Sequence, residues 1–283
     1  MILVRRPEGP SWRGLCHPLE PWQCLWRHRR LIVQLAARDV RSRYRGALLG
    51  PLWPLLTPAL AILVYTFVFN TILRPRWGQF GSGSTFDFAL LLMAGLFVFN
   101  VFTEMVARAP HLIHTQPHFV KKIAFPLEVF PAAALLAALV HLAIGLTILL
   151  ALWVAVHGEV PAGLWLLPVV LIPYAALLLG LGWLLAAGGT FLRDLAPTFA
   201  AGAQLLLFLT PVFYPLAAVP APFQSWLGMN PLAVVVESCR AALLGWDTVS
   251  WLSLVGLAVG GWLAAQVGFA GFMALKPRLA DVV

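Results

Sequence analysis

From Gly46 to Leu73 the chain carries no charged side chain, and the residues just before it, Arg38 to Arg45, are dense in arginine. Lys and Arg are costly in hydrocarbon but favoured beside anionic headgroups, so this order sets a depth and a direction. A basic helix lying on a membrane surface is expected to turn directly into one that crosses it. The balance of residues agrees: 61% are hydrophobic and 11% charged, against about 25% charged in a soluble domain.

Six windows are long and apolar enough to span, near 51–73, 88–107, 129–156, 164–190, 196–212 and 249–275. A crossing helix needs about 20 apolar residues. The runs are continuous and lack period-two alternation, so helices are expected rather than barrel strands. The fold class is an all-α integral membrane protein of six transmembrane helices. Residues 1–24 read as a cytosolic lead, 25–46 as an interfacial amphipathic helix and 47–283 as the transmembrane domain.

Sixteen of the 19 Lys and Arg residues lie in the N-terminal segment, the 108–122 loop, the Arg193 turn and the C-terminal tail. The positive-inside rule then puts both termini in the cytosol. The net charge of +8 is mostly this bias, and no basic patch alternates with aromatics as a nucleic-acid surface would. The first 45 residues hold no long apolar stretch, so no cleavable signal is read and the first span serves as the insertion signal.

Between Leu25 and Arg45, arginines recur in steps of three or four with Gln34 among them, and Val33, Ala37, Val40 and Tyr44 recur on another face. The loop at 108–125 has helical potential over 109–116. Its His111, His114 and His118 are spaced for one helical face, but Pro117 interrupts them and no acid or cysteine completes a metal site. The segment 213–247 is too apolar for a solvated loop and is broken by Pro215, Pro220, Pro222 and Pro231. Two short re-entrant helices are expected there, with Glu237 and Arg240 at pairing distance. Glycines gather in the fourth and sixth windows; Gly256 and Gly260 form a small-xxx-small pair suited to close packing.

Chemistry is scarce within the windows. Asp87 and Glu104 lie near the ends of the second and His141 within the third. Asp39, Glu104, Glu128 and Asp194 are dispersed in sequence, which speaks against a membrane enzyme using paired acids. No GxSxG, HExxH, CxxC or GxxxxGK[ST] pattern occurs. Energy for uphill movement must come from another subunit.

Five stretches together resemble a known family: RDVRSRYRGALLGPLWPLLTP at Arg38–Pro58, FVKKIAFPLEVFP at Phe119–Pro131, FLRDL at Phe191–Leu195, PVFYP at Pro211–Pro215 and NPLAVVVESCRAALL at Asn230–Leu244. The chain is similar to the membrane subunits of ABC-2-type polysaccharide exporters, the Wzm, KpsM and TarG group, and looks closest to Wzm, the O-antigen exporter.

The resemblance implies a homodimer in the bacterial inner membrane, paired with two ABC ATPase subunits. ATP and Mg belong to those subunits, and this chain has no cofactor, metal or catalytic residue of its own. The cargo would be an undecaprenyl-linked polysaccharide of O-antigen type. Capsular polysaccharide, teichoic acid and galactan exporters share the pattern. Arg38, Arg41, Arg43 and Arg45 would meet the polyprenyl pyrophosphate, since Arg suits phosphate oxygens. Arg108, His111, His114, Lys121 and Lys122 would belong to the loop that docks on the ATPase. Tyr65, Phe67, Phe69, Phe97 and Phe99 are candidate channel aromatics. Tyr214, Asn230, Pro231, Glu237 and Arg240 would form an outer gate in 213–247.

Overall fold

The computed structural model describes residues 19–45, 52–68, 85–116, 119, 125–214, 216, 219–244 and 250–282. Every element among them is helical: α1 Glu20–Arg27, α2 Arg29–Tyr44, α3 Trp53–Phe67, α4 Thr85–Arg108, α5 Val129–His157, α6 Leu166–Phe191, α7 Leu195–Leu209, α8 Ala221–Gly228, α9 Pro231–Leu244 and α10 Trp251–Val282. Short 3-10 turns at Ala109–His111 and Ala162–Trp165 extend α4 and precede α6.

Four stretches are long and apolar enough to cross a membrane: Ala89–His111, Val129–His157, Ala162–Phe191 and Trp251–Leu279. The other two windows hold shorter apolar helices, Leu56–Tyr65 and Leu195–Leu209. The fifth window extends to residue 212 in sequence, but the helix stops earlier because Thr210 precedes Pro211. A residue before proline is pushed out of the helical region, and Thr210 is extended at φ −99°, ψ 138°. At the other extreme α5 ends cleanly, with Gly158 left-handed at φ 74° and its N–H donating to Val154 O at 2.8 Å. That is the usual way for glycine to close a helix.

The central helix is α4. Between residues 88 and 99 its sequence is apolar on every side, the signature of a stretch with no solvent face, and Ala89 through Phe99 are all buried. Helices α3, α5, α6, α7 and α9 pack around it. In lipid such association rests on close packing and interhelical hydrogen bonds rather than on water exclusion. Two buried aromatics supply the bonds. Tyr174 of α6 donates its hydroxyl to Val98 O of α4 at 2.9 Å, and Trp183 of α6 donates its indole N–H to Glu128 O, at the start of α5, at 2.9 Å. Trp183 also meets Phe269 of α10 edge-on, with centroids 5.1 Å apart.

The tightest pairing is α6 with α10. A Cβ on Gly180 would lie 2.2 Å from Ala264 O, and one on Gly268 would lie 2.2 Å from Gly180 O. Only glycine permits this approach of two backbones. The Gly256 and Gly260 pair plays no such part within the chain: a Cβ at either meets nothing within 4 Å.

Candidate functional site

The basic segment before the first window is two helices rather than one. His28 breaks it at φ −100°, ψ 14°, and its Nδ1–H donates to Cys24 O at 3.0 Å. Beyond the break α2 packs on α5. Its packed face carries Ile32 and Ala36, both buried, while Val33 is 56% exposed. Steps of three and four from Ile32 and Ala36 lead to Asp39 and Arg43. The inward face therefore begins apolar and ends charged.

Those two charges complete a ring with two from α4. Arg108 donates to Asp39 Oδ1 at 2.7 Å and to Glu104 Oε1 at 3.0 Å. Arg43 donates to Asp39 Oδ2 at 3.3 Å and closely to Glu104 Oε1. His141 of α5 places Nδ1 4.0 Å from Glu104 Oε2. Asp39 and Glu104, dispersed in sequence, are thus part of one cluster, but each is neutralised by arginine rather than paired for acid–base work. Burial by itself lowers the Arg43 guanidinium. The hydrogen bonds and charges of Glu104 and Asp39 outweigh that and hold it above its ordinary value.

A cavity of about 380 Å3 opens beside the ring. Its lining includes Arg43, Glu104, His141, Asn100 and the aromatic rings of Tyr65 and Phe97. The space is bounded by α2, α3, α4 and α5. One guanidinium, a neutral amide and aromatic faces together suit a ligand bearing hydroxyls or phosphate.

The remaining candidates distribute unevenly. Arg38, Arg41 and Arg45 are exposed on α2, while Arg43 is committed to the ring. Arg108 is also in the ring, at the end of α4 rather than out in the loop. His111 and His114 are exposed. The helix expected over 109–116 is a 3-10 turn followed by turns, because Pro110 cannot continue the α4 ladder. That turn is seated against α6, where a Cβ on Gly189 would lie 2.5 Å from Pro110 O. Phe67 is 56% exposed, and Phe99 is buried against Phe102 with centroids 5.6 Å apart. Lys121, Lys122 and Phe69 lie outside the described residues.

In the segment 213–247, Asn230 caps α9: its Oδ1 accepts Leu232 N–H at 3.0 Å and its Nδ2 donates to Thr210 Oγ1 at 3.1 Å. Pro231 follows as the first residue of the helix, where its missing N–H costs nothing. Tyr214 donates to Phe208 O at 2.7 Å. Glu237 and Arg240 pair at 3.2 Å as their spacing suggested. Arg240 does more than pair. It is fully buried and donates to Leu91 O at 3.0 Å, Pro211 O at 2.6 Å and Val212 O. The last two carbonyls belong to non-helical backbone just past α7, which survives in an apolar setting only when protein satisfies it.

A second polar cluster escaped the sequence reading. Glu128 is 5% exposed, accepts from Lys276 Nζ of α10 at 2.6 Å and from Cys24 Sγ of α1 at 3.6 Å. Burial and the adjacent Glu128 carboxylate push the Cys24 thiol up to about 12. Among the described residues no three His, Cys, Asp or Glu side chains are grouped to hold a metal ion.

The profile of the ABC-2 type transporter family matches residues 30–244. The O-antigen export system permease protein RfbA of Klebsiella pneumoniae is 25% identical over 256 residues, covering 89% of this chain and 95% of its own length. The Myxococcus xanthus protein of the same description is 29% identical over 222 residues, covering 77% and 81%. The polysialic acid transport protein KpsM of Escherichia coli is 26% identical over 242 residues, covering 84% and 91%.

Proposed function

The chain belongs to the ABC-2 type transporter family, and from that premise we propose that it is the transmembrane subunit of an ATP-driven exporter of undecaprenyl-linked polysaccharide of the O-antigen type. As a permease component of this family it has no catalytic activity of its own. Two copies form the path across the inner membrane, and two ATPase subunits bind ATP and Mg. Both termini face the cytosol.

The observation that carries the reading is the joint between α2 and the cavity. A basic helix is held by Arg43 against Glu104, at the wall of a cavity that also presents Tyr65 and Phe97. Exposed Arg38, Arg41 and Arg45 receive the carrier pyrophosphate, and the first sugars meet the aromatic wall. The 108–125 loop rests on the ATPase, and its seat on α6 at Gly189 passes the ATPase stroke into the bundle. The segment 213–247 closes the outer end, with Arg240 tying α9 to α4 and to the backbone of Pro211 and Val212 just before the segment. The two RfbA relatives favour an O-antigen cargo. A capsular glycan is the second reading, favoured by the KpsM likeness over 84% of the chain.

The test is purification of the tagged chain from its native membrane, with mass spectrometry of co-eluting proteins and lipids. The expected result is a stoichiometric Walker-type ATPase and a polyprenyl-linked glycan, whose sugar composition separates O-antigen from capsule. Recovery of neither, under conditions that hold known complexes together, overturns the reading.

A further inference from the structure

A groove of about 450 Å3 runs between the α1–α2 pair and the α5–α6 wall. It shares no residue with the cavity beside the charge ring. On α5 its lining follows one stripe, Ala132, Leu135, Leu136 and Leu139, spaced as a single helix face. That stripe covers roughly 10 Å of helix at 1.5 Å per residue. Ile32 and Val33 face it from α2.

The part of the lining where α1 meets α2 differs in chemistry from the α5 stripe. Trp22, Trp26 and Arg29 line it there, and Arg29 is the one charged residue of the lining. Trp26 is 71% exposed, and the Arg29 guanidinium sits 4.8 Å from the centre of its ring while donating to Trp26 O at 2.9 Å. This bond uses one of the five N–H donors of a guanidinium. Arg27 and Arg30 flank it in sequence, and no carboxylate lines the groove. Tryptophan beside arginine is the pairing that membrane–water interfaces favour.

We propose that this groove holds one acyl chain of an anionic bilayer phospholipid, with the lipid phosphate on Arg29. An apolar slot leading away from a lone cation matches the two ends of such a lipid: the chain takes the slot, and the phosphate takes the cation. A zwitterionic lipid offers the same chain but brings its own cation to Arg29. The lipid is a resident partner of the fold that clasps α1–α2 to α5, separate from the exported cargo.

The test uses the full chain in phosphatidylcholine nanodiscs containing phosphatidylglycerol with a diazirine in one acyl chain. Photolysis and peptide mapping should place adducts within residues 22–33 and 132–139, several-fold above the yield from a phosphatidylcholine probe. Arg29→Glu, at an exposed site, should reduce phosphatidylglycerol labelling to the phosphatidylcholine level. Leu136→Trp, which fills the slot, should suppress labelling by both probes there. Equal labelling by the two headgroups overturns the proposal, as does labelling indifferent to Arg29→Glu. Displacement of the probe by equimolar undecaprenyl phosphate, but not by unlabelled phosphatidylglycerol, overturns it too and gives the groove to the carrier lipid. None of these readouts depends on export, so the groove and the transport reading stand or fall separately.

Discussion

Arg43 on α2 and Glu104 on α4 form a direct hydrogen-bonded ion pair across 61 residues of sequence. This pair joins the surface helix to the central one. Asp39 and Arg108 close the same ring, so both arginines and both carboxylates are shared. The four side chains are 21–31% exposed, which places them between surface pairs of little worth and buried pairs that fail badly when broken.

Glu104→Gln leaves Arg43 and Arg108 facing one carboxylate, and the purified protein should lose about 1–3 kcal/mol of stability. Asp39→Asn should cost less, because Arg43 reaches Asp39 only at 3.3 Å and keeps its closer bond to Glu104. Thermal melts in detergent measure the difference. Equal loss from the two variants would mean that Glu104 is not the centre of the ring.

Replacing Arg38, Arg41 and Arg45 together by Ala should abolish surface glycan while leaving stability and ATPase recovery unchanged, since all three are exposed on α2. Immunoblots of surface polysaccharide in a complemented deletion strain give the readout. Normal export would remove these residues from the entry role.

Arg240→Met strands the carbonyls of Pro211 and Val212 and should cost about 3–5 kcal/mol, the range for breaking a buried charged network. Arg240→Lys should recover only part, because one ammonium does not match a planar fork of donors. Glu237→Gln should be milder than either, as Glu237 is 23% exposed. Membrane yield and thermal melts report all three.

Cys24 should alkylate slowly at pH 8. Its thiol is raised to about 12, and the thiolate is the reactive form, so the rate should climb as pH rises toward that value. Glu128→Gln removes the neighbouring negative charge, lowers the thiol and should speed labelling. N-ethylmaleimide kinetics in a Cys16→Ser background measure it; Cys239 stays buried within α9.

Gly189→Val should displace the 3-10 turn at Ala109–His111 and uncouple ATP hydrolysis from export, because the first added atom already meets Pro110 O. Gly202→Ala on α7 is the contrast. Its Cβ meets nothing within 4 Å, and helix propensity alone should make it stabilising by up to about 1 kcal/mol. ATPase and export assays on the two variants separate coupling from general tolerance of substitution.

The apolar helices were legible because charge is absent from long windows, and helix hydrogen bonding is local. The end of α7 was written in Thr210–Pro211, but an apolar window does not register a proline and ran past it to residue 212. The break at His28 was not legible. No proline or glycine marks it, and the contact that α1 makes just before it, Cys24 to Glu128, spans 104 residues. Which apolar residues of α2 pack on α5 was not legible, because those at 32 and 36 and those at 33 and 37 give nearly the same periodicity; packing against α5 selects Ile32 and Ala36. The ring needed α2 and α4 brought together, which local spacing does not encode. Glu237 and Arg240 were readable as neighbours on one helix. The three carbonyls on Arg240 belong to other segments and left no local trace beyond one arginine in an apolar run.

The contact of α6 and α10 through Gly180 and Gly268 leaves no room for side chains between the two backbones. Separating them would open a seam that no side chain there is long enough to fill. These two long helices therefore behave as a single double-thickness beam. Any rearrangement of the bundle must then carry them together, as a fixed jamb carries both its edges.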